Sequence, residues 1–168
     1  MWHKKYTSEM NKIASLYYKM SIKTVSEGSN YTCINVGKFS DLNQHVLTMP
    51  GGQKKPGKVF LGKPSKMTGE EISYGSMEPG ASIPFFHAHH KHEEVYLIIS
   101  GTGEYQIDDT VFPIEEGSVV RVGTGASRNL KNTGTVPLVY ICVQTMENSY
   151  QAQIPNECDI TKTEPKFH

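Results

Sequence analysis

The sequence predicts an all-β protein in which short antiparallel strands form a sandwich or a barrel. From Glu70 onward, apolar segments of strand length are separated at short intervals by turn residues, for example Glu78-Pro79-Gly80. Many short strands with regular turns are typical of these two architectures. In chain order, the predicted strands of this region are Glu71–Met77, Ile83–Ala88, Val95–Ser100, Gly103–Ile107, Thr110–Ile114, Ser118–Val122, Asn129–Asn132 and Val136–Thr145.

The segments on either side of this region differ from it in composition. Residues 1–22 are expected to form a tail, an upstream extension or a short helix that Ser8 can cap. Residues 23–69 are expected to add N-terminal strands and loops to a barrel core at residues 70–146, and residues 147–168 a C-terminal arm. The elements expected within the N-terminal segment are strands at Thr32–Val36, Val46–Thr48 and Val59–Gly62, a loop at Met49–Gly57 and a short helical turn near Phe39–Gln44.

The composition narrows the classes of protein to be considered. The chain has 168 residues with 17 Lys+Arg and 17 Asp+Glu, so its formal net charge is zero and its length predicts one domain. Balanced charge argues against a nucleic-acid binder and against electrostatic attachment to a membrane. No apolar run approaches the ~20 residues of a membrane helix, and the N-terminus lacks signal-peptide character. The three cysteines form no C-x-x-C pair, so we expect a cytoplasmic protein without disulfide bonds.

Four of the seven histidines, His87, His89, His90 and His92, lie within six residues of one another. Residues two apart in a strand face the same side, so His87 and His89 are expected to project together. Glu94 is expected to open the next strand, antiparallel to the first, and to point back at both imidazoles. Two histidines and one carboxylate suit a first-row divalent metal and leave positions for water or substrate. We interpret His90 and His92 as residues of a solvated loop, with a water or an inward-folded His92 as a possible fourth ligand.

This spacing resembles the first motif of the cupin family, which contains a glycine, H-x-H, a glutamate and a second glycine. His87-x-His89 is followed by four residues, Glu94, six residues and Gly101. Gly80 lies six residues before His87, where the family motif usually has five.

The second cupin motif is matched in spacing but not in every residue. Gly117 is followed by five residues, Gly123-x-Gly125, two residues, Arg128, three residues and Asn132. Gly123 stands where the motif usually has proline, and Arg128 stands where it usually has a histidine ligand.

The resemblance covers about residues 70–146 and implies a small single-domain cupin of the cupin-2 type. It implies a jelly-roll barrel of two antiparallel sheets, with the site inside one end. His87, His89 and Glu94 would then bind a divalent metal such as Fe, Mn, Ni or Zn. Cupins typically form dimers, so the resemblance also implies a homodimer.

Arg128 leaves the chemistry of the site open, because a guanidinium has no lone pair for a metal. In one interpretation the metal is bound and Arg128 holds an anionic substrate beside it. In a second, Arg128 pairs with Glu94 and the barrel is metal-free; in a third, Arg128 lies at a solvated rim. Without a metal, Glu94 could act as a general base. Other side chains that could reach the cavity are Gln106, Gln144, Tyr74, Tyr96, Tyr105 and Tyr140, and strand parity places Leu138, Tyr140, Cys142 and Gln144 on one face.

Two functions follow from these expectations. The first is a metal-dependent enzyme of isomerase, lyase or dioxygenase type, with Glu94 and Arg128 as its catalytic candidates. Its substrate would be a small anionic carbohydrate or organic-acid-like molecule. The alternative is a non-catalytic cupin that captures a small ligand in a metal-free barrel.

Overall fold

A computed structural model describes residues 21–48, 52–150 and 158–167. Its strands are β1 (Lys23–Glu27), β2 (Thr32–Asn35), β3 (Val46–Thr48), β4 (Lys54–Pro56), β5 (Lys58–Phe60), β6 (Glu70–Met77), β7 (His92–Ser100), β8 (Thr102–Ile107), β9 (Thr110–Glu115), β10 (Val119–Val122), β11 (Arg128–Asn132) and β12 (Leu138–Met146). A 3-10 helix spans Phe39–Gln44, and the short helix α1 spans Gly62–Ser65.

Two antiparallel sheets form the body of the protein. One has five strands in the order β10-β7-β12-β6-β5, and the other has three in the order β11-β8-β9. Two small hairpins, β1-β2 and β3-β4, complete the pairing among the described residues. The architecture is the predicted all-β jelly roll of antiparallel sheets.

The main core lies between the two sheets. In β7, the buried residues Glu94, Tyr96 and Ile98 alternate with half-buried ones, so one face of the strand points inward. The ring of Tyr96 lies 5.2 Å from that of Tyr105 and 5.5 Å from that of Tyr140, measured between centroids. The buried members of this core are Met77, Ile83, Tyr96, Ile98, Tyr105, Ile114, Val120, Val122, Leu130, Leu138, Tyr140 and Cys142.

A second cluster covers the outer face of the five-stranded sheet. Its buried members are Val36, Leu42, Val59, Leu61 and Val139. Four of these five residues come from the N-terminal segment, so this segment packs against the sheet as well as adding β5 to its edge. As a result, Val59 faces outward into this cluster, and its neighbour Lys58 faces inward.

The predicted strands β6 and β8 to β12 are confirmed with small shifts of their ends, and β7 begins three residues earlier than predicted, at His92. The predicted helical turn at Phe39–Gln44 is a 3-10 helix. The loop expected at Met49–Gly57 instead contains β4, and β1 was not predicted. In both cases, pairing with a neighbouring strand overrides a weak local signal.

The strand predicted at Ile83–Ala88 is wrong. The stretch that begins at Ser82 and runs through this segment makes only two isolated bridges, Ser82 to Lys131 and His87 to Arg128. Pro84 lacks the N–H that a ladder needs, and a side-chain amide takes over part of the pairing. Asn129 Nδ2 donates to the carbonyl of Ile83 at 2.8 Å and to that of Phe85 at 3.2 Å.

The structure describes only part of the two terminal segments. Residues 1–20, which contain most of the predicted tail or helix, lie outside the described residues. Residues 158–167, from the predicted C-terminal arm, are exposed and have no regular secondary structure. No helix in the described ranges is long and apolar enough to cross a membrane. The division into four segments stays a prediction.

Candidate metal and ligand site

The structure brings His87, His89 and Glu94 together at one end of the space between the sheets. One ligand atom from each residue lies within 4.8 Å of the other two. Glu94 is buried on β7, and both histidines are half-buried. Contrary to expectation, the histidine segment is not the antiparallel neighbour of β7. It bridges to β11 of the opposite sheet, so the site is assembled across the two sheets.

Main-chain hydrogen bonds fix the two histidines from the side of the three-stranded sheet. The amide N–H of Arg128 donates to the carbonyl of His87 at 3.1 Å. The amide of Gly125 donates to the carbonyl of His89 at 2.9 Å. The two rings end with centroids 5.5 Å apart. The irregular segment therefore presents both imidazoles together, although it is not a strand.

The two oxygens of the Glu94 carboxylate have different partners. Oε2 accepts hydrogen bonds from Arg128 Nη2 at 2.5 Å, Arg128 Nε at 3.1 Å and Tyr96 Oη at 3.0 Å. Oε1 lies 3.2 Å from His89 Nε2. Arg128 and Tyr96 therefore hold Oε2 in place, and Oε1 faces His89.

Arg128 is buried, with 1% of its surface exposed, so its placement at a solvated rim is wrong. Its Nη1 donates to the carbonyl of His87 at 3.2 Å, while its other two nitrogens donate to Glu94. Arg128 is also absent from the residues that line the adjoining cavity. Its described contacts therefore orient Glu94 and His87 and do not present a guanidinium to a ligand. Pairing of Arg128 with Glu94 and metal ligation by Oε1 are compatible.

The electrostatics of His87 and Glu94 favour the charge states that a metal requires. Burial opposes the ionisation of Glu94, but the hydrogen bond and charge of Arg128 outweigh it and hold the pKa below its ordinary 4.5. Burial, assisted by the charge of Arg128, lowers the pKa of His87 below 6.5. A neutral imidazole and an ionised carboxylate are the ligand forms of these residues.

One buried atom of the site lacks a partner. His87 Nδ1 has no hydrogen bond among the described residues. Buried polar atoms are normally satisfied, so an orphaned ring nitrogen beside a histidine and a carboxylate fits a site for a metal ion or its water. The donor set of two nitrogens and one oxygen suits Fe, Mn, Ni or Zn.

These pKa shifts predict how the metal-free protein responds to acid. His87 takes up its proton less readily in the folded than in the unfolded chain, so stability falls as pH decreases below 6.5. Glu94 acts in the same direction below 4.5. Urea unfolding in EDTA at about pH 7.5 and about pH 5 should show this loss. His87→Gln should show a smaller loss; an equal loss would contradict the assignment to His87.

A cavity of about 160 Å³ opens in front of the trio. Its lining residues are Leu47, Lys55, Lys58, Phe60, Glu71, Ser73, Ile83, Phe85, His87, His89, Glu94, Tyr96, Tyr140, Cys142 and Gln144. Lys55 and Lys58 were not among the residues predicted to reach the cavity, because no strand was predicted at either position. The local sequence Lys58-Val59-Phe60 has no alternation of polar and apolar residues, so it gives no signal that Lys58 faces inward.

The other candidate residues divide between the cavity and the rest of the fold. Tyr96, Tyr140 and Gln144 line the cavity, and Tyr140 and Gln144 lie on the face of β12 that strand parity predicted. Gln106 instead donates to the carbonyl of Asp108 at the surface. Tyr74 packs with the outer cluster, and Tyr105 is buried in the main core without lining the cavity.

The two remaining histidines of the sequence cluster lie outside the trio. His90 is exposed, as expected of a loop residue. His92 is half-buried at the start of β7, and its ring centroid is 6.5 Å from that of His89. His92 is therefore near the site but is not grouped with the three converging ligand atoms.

The region that carries this site matches a known family. Residues 73–144 match the family model described as Cupin domain (Cupin_2). This segment is a cupin domain. A solved cupin protein from Bacteroides fragilis resembles the chain with a TM-score of 0.58 and 27% identity, over 62% of this chain and 88% of that one. The sheets described above are therefore those of a small cupin barrel of the cupin-2 type.

Two curated relatives of this cupin domain have names from polysaccharide synthesis. The alginate biosynthesis protein AlgA of Pseudomonas putida is 31% identical over 75 residues, or 45% of this chain and 15% of the relative. The xanthan biosynthesis protein XanB of Xanthomonas campestris is 33% identical over 70 residues, or 42% of this chain and 15% of the relative. The chain thus spans about 15% of the length of these two relatives. The replacement of a motif histidine by Arg128 stays a prediction.

Proposed function

We propose that this cupin binds one divalent metal ion through His87, His89 and Glu94 and acts on a small anionic molecule in the adjoining cavity. The observation that carries the proposal is the convergence of the three ligand atoms, within 4.8 Å of one another, on the wall of that cavity. Fe, Mn, Ni and Zn all suit this donor set. The substrate class is a carbohydrate or an organic-acid-like molecule, and the reaction is an isomerase, lyase or dioxygenase reaction.

The residues around the trio have distinct parts in this function. A bound metal would polarise a substrate oxygen or lower the pKa of a bound water. Arg128 and Tyr96 hold Oε2 of Glu94 and so keep Oε1 directed at the histidines. Support of this kind behind a ligating carboxylate is a regular feature of metal sites. The aromatic side chains of Tyr96 and Tyr140 form part of the cavity wall beside the trio.

The names of two relatives favour a carbohydrate over other organic anions. AlgA and XanB are named for the biosynthesis of alginate and xanthan. Each match covers less than half of the residues of this chain. The carbohydrate assignment therefore belongs to the proposal and is to be tested with this protein.

A second candidate function is a non-catalytic module that captures a small ligand in a metal-free barrel. The contact between Arg128 Nη2 and Glu94 Oε2 at 2.5 Å favours it, because the buried carboxylate already has a compensating charge. His89 lies within hydrogen-bond distance of the other carboxylate oxygen. Glu94 is therefore satisfied without a metal, and the two candidates differ in whether a cation displaces the contact to His89.

Elemental analysis of protein purified without an affinity tag tests the choice between them. We expect uptake of about one equivalent of divalent metal per chain after Fe(II), Mn(II), Ni(II) or Zn(II) is added to EDTA-treated protein. Less than about a tenth of an equivalent with all four metals would contradict the metal function and favour the binding module.

The oligomeric state, the cellular location and the partners of the protein are predicted from the sequence alone. The expectations of a homodimer, of a cytoplasmic location and of a small-molecule partner, with neither nucleic acid nor membrane, remain predictions. The proposed site is built within one chain, so it does not depend on the dimer.

A further inference from the structure

We infer that Lys55 and Lys58 form the anion-binding end of the cavity and that they bind the phosphate group of a phosphorylated small molecule. This inference deepens the proposed function and rests on it for the chemistry at His87, His89 and Glu94. It assigns to these two lysines the part that the sequence suggested for Arg128.

The backbone between the two lysines is fixed. Gly57 lies between β4 and β5 with a φ of +81°, and a Cβ at this position would lie 2.2 Å from the carbonyl oxygen of Ser76. Its N–H donates to the carbonyl of His45 at 2.9 Å, and its own carbonyl accepts from the N–H of Ser76 at 2.7 Å. Only glycine fits this close approach, which turns the chain so that both lysines line one cavity.

Lys58 is held against aromatic rings and is not free in solvent. Its Nζ lies 5.2 Å from the ring centroid of Tyr140 and 5.3 Å from that of Phe60, both within cation–π range. The side chain is half-buried, and so is that of Lys55. An ammonium that is positioned and partly desolvated in this way interacts more strongly with an anion than a freely solvated lysine does.

The positive charge of this pair is not neutralised by an ion pair among the described residues. The ion pairs found there join Lys66 to Glu27, Arg121 to Glu93, and Glu94 to Arg128 and His89. Neither Lys55 nor Lys58 takes part in any of them.

Two carboxylates also line the cavity, and each has other partners. Glu71 Oε1 accepts the N–H of Gly62 at 2.7 Å and that of Leu61 at 3.1 Å. Glu94 is paired with Arg128. The charges of both carboxylates act on Lys58, but neither carboxylate forms an ion pair with Lys55 or Lys58.

The charge of the pair matches a phosphate monoester better than a carboxylate. A phosphate monoester carries a charge of about −1.5 to −2 at pH 7, whereas a carboxylate carries a single negative charge. Lysine binds phosphate as a point charge and needs no planar fork. Burial lowers the pKa of both lysines, and a bound dianion would oppose that shift. The phosphate end would sit at the lysines while the rest of the molecule faces His87, His89 and Glu94.

Titration calorimetry with inorganic phosphate tests this inference, on both EDTA-treated and Mn(II)-loaded protein at low ionic strength. We expect Lys58→Met and Lys55→Met each to weaken phosphate binding about tenfold or more. Lys58→Arg keeps the charge and should bind more tightly than Lys58→Met. Lys54→Met is the matched control, because Lys54 is an exposed neighbour on β4 that does not line this cavity. It should change the affinity by less than about twofold.

The outcomes separate this inference from the proposed function. Absence of phosphate binding to the unaltered protein in both forms would overturn the inference, as would Lys58→Met binding as tightly as Lys54→Met. Melting temperatures of the variants show whether the fold is kept. If phosphate binding depends on the lysines and no metal is taken up, the inference about the anion site is supported and the proposed metal function is contradicted. If metal is taken up and the lysines have no effect on phosphate, only the inference fails.

Discussion

Replacing Arg128 by methionine is expected to destabilise the metal-free protein at neutral pH by about 3–5 kcal/mol. The substitution leaves the buried Glu94 carboxylate without the charge and two hydrogen bonds that compensate its burial. It also removes the donor that holds the carbonyl of His87. Because only the weaker effects of His89 and Tyr96 then oppose the burial of Glu94, its pKa should rise and the loss should shrink as pH decreases. Urea unfolding in EDTA across this pH range measures both effects.

Arg121 provides a matched control for this prediction. It also pairs with a glutamate of β7, since its Nε donates to Glu93 Oε2 at 2.6 Å, but the arginine side chain is 61% exposed. Arg121→Met should cost less than about 1 kcal/mol, because exposed ion pairs contribute little. The double variant Arg128→Met with Glu94→Gln should recover part of the loss, because no buried charge is left unpaired. A cost for Arg128→Met as small as that of Arg121→Met would contradict the described pairing.

Replacing His87 by alanine is expected to weaken binding of a divalent metal about 100-fold or more, and His89→Ala should have a similar effect. Each substitution removes one of the three ligands proposed among the described residues. Both side chains are half-buried, so the fold should be largely kept. The measurement is competition with a chromophoric chelator, using EDTA-treated protein without a tag.

His90→Ala is the control for the metal prediction. His90 is one residue from His89 and exposed, and it does not belong to the converging trio. Its loss should leave metal affinity within about twofold of the unaltered protein. If His90→Ala weakened the affinity as much as His87→Ala, the metal would be bound by the loop and the assignment of the site would be wrong.

The sequence contained enough information for most of the barrel. Alternating apolar residues between strong turn signals predicted β6 and β8 to β12, because these strands each have one face in the core. The same pattern wrongly predicted a strand at Ile83–Ala88. There, Pro84 prevents regular pairing and the side chain of Asn129 replaces part of it. Apolar content alone does not distinguish an irregular buried segment from a strand.

Local spacing in the sequence predicted only part of the site. Spacing singled out His87, His89 and Glu94, and these three residues do converge. The direction of Arg128 depends on β11 lying across from β7 in the opposite sheet, which is a tertiary relation that no local pattern contains. Lys55 and Lys58 depend on the turn at Gly57 and on the pairing of β5 with β6. Charged residues in a glycine- and proline-rich segment otherwise indicate a solvated loop.

Anomalous X-ray diffraction from crystals of Mn(II)- or Zn(II)-loaded protein tests the central claim most directly. We expect one strong peak at the trio, at about 2.0–2.2 Å from a ring nitrogen of His87, a ring nitrogen of His89 and Glu94 Oε1. Oε2 should remain bonded to Arg128. An absent peak at this position, with Glu94 Oε1 still in contact with His89, would contradict the claim and support the metal-free binding module.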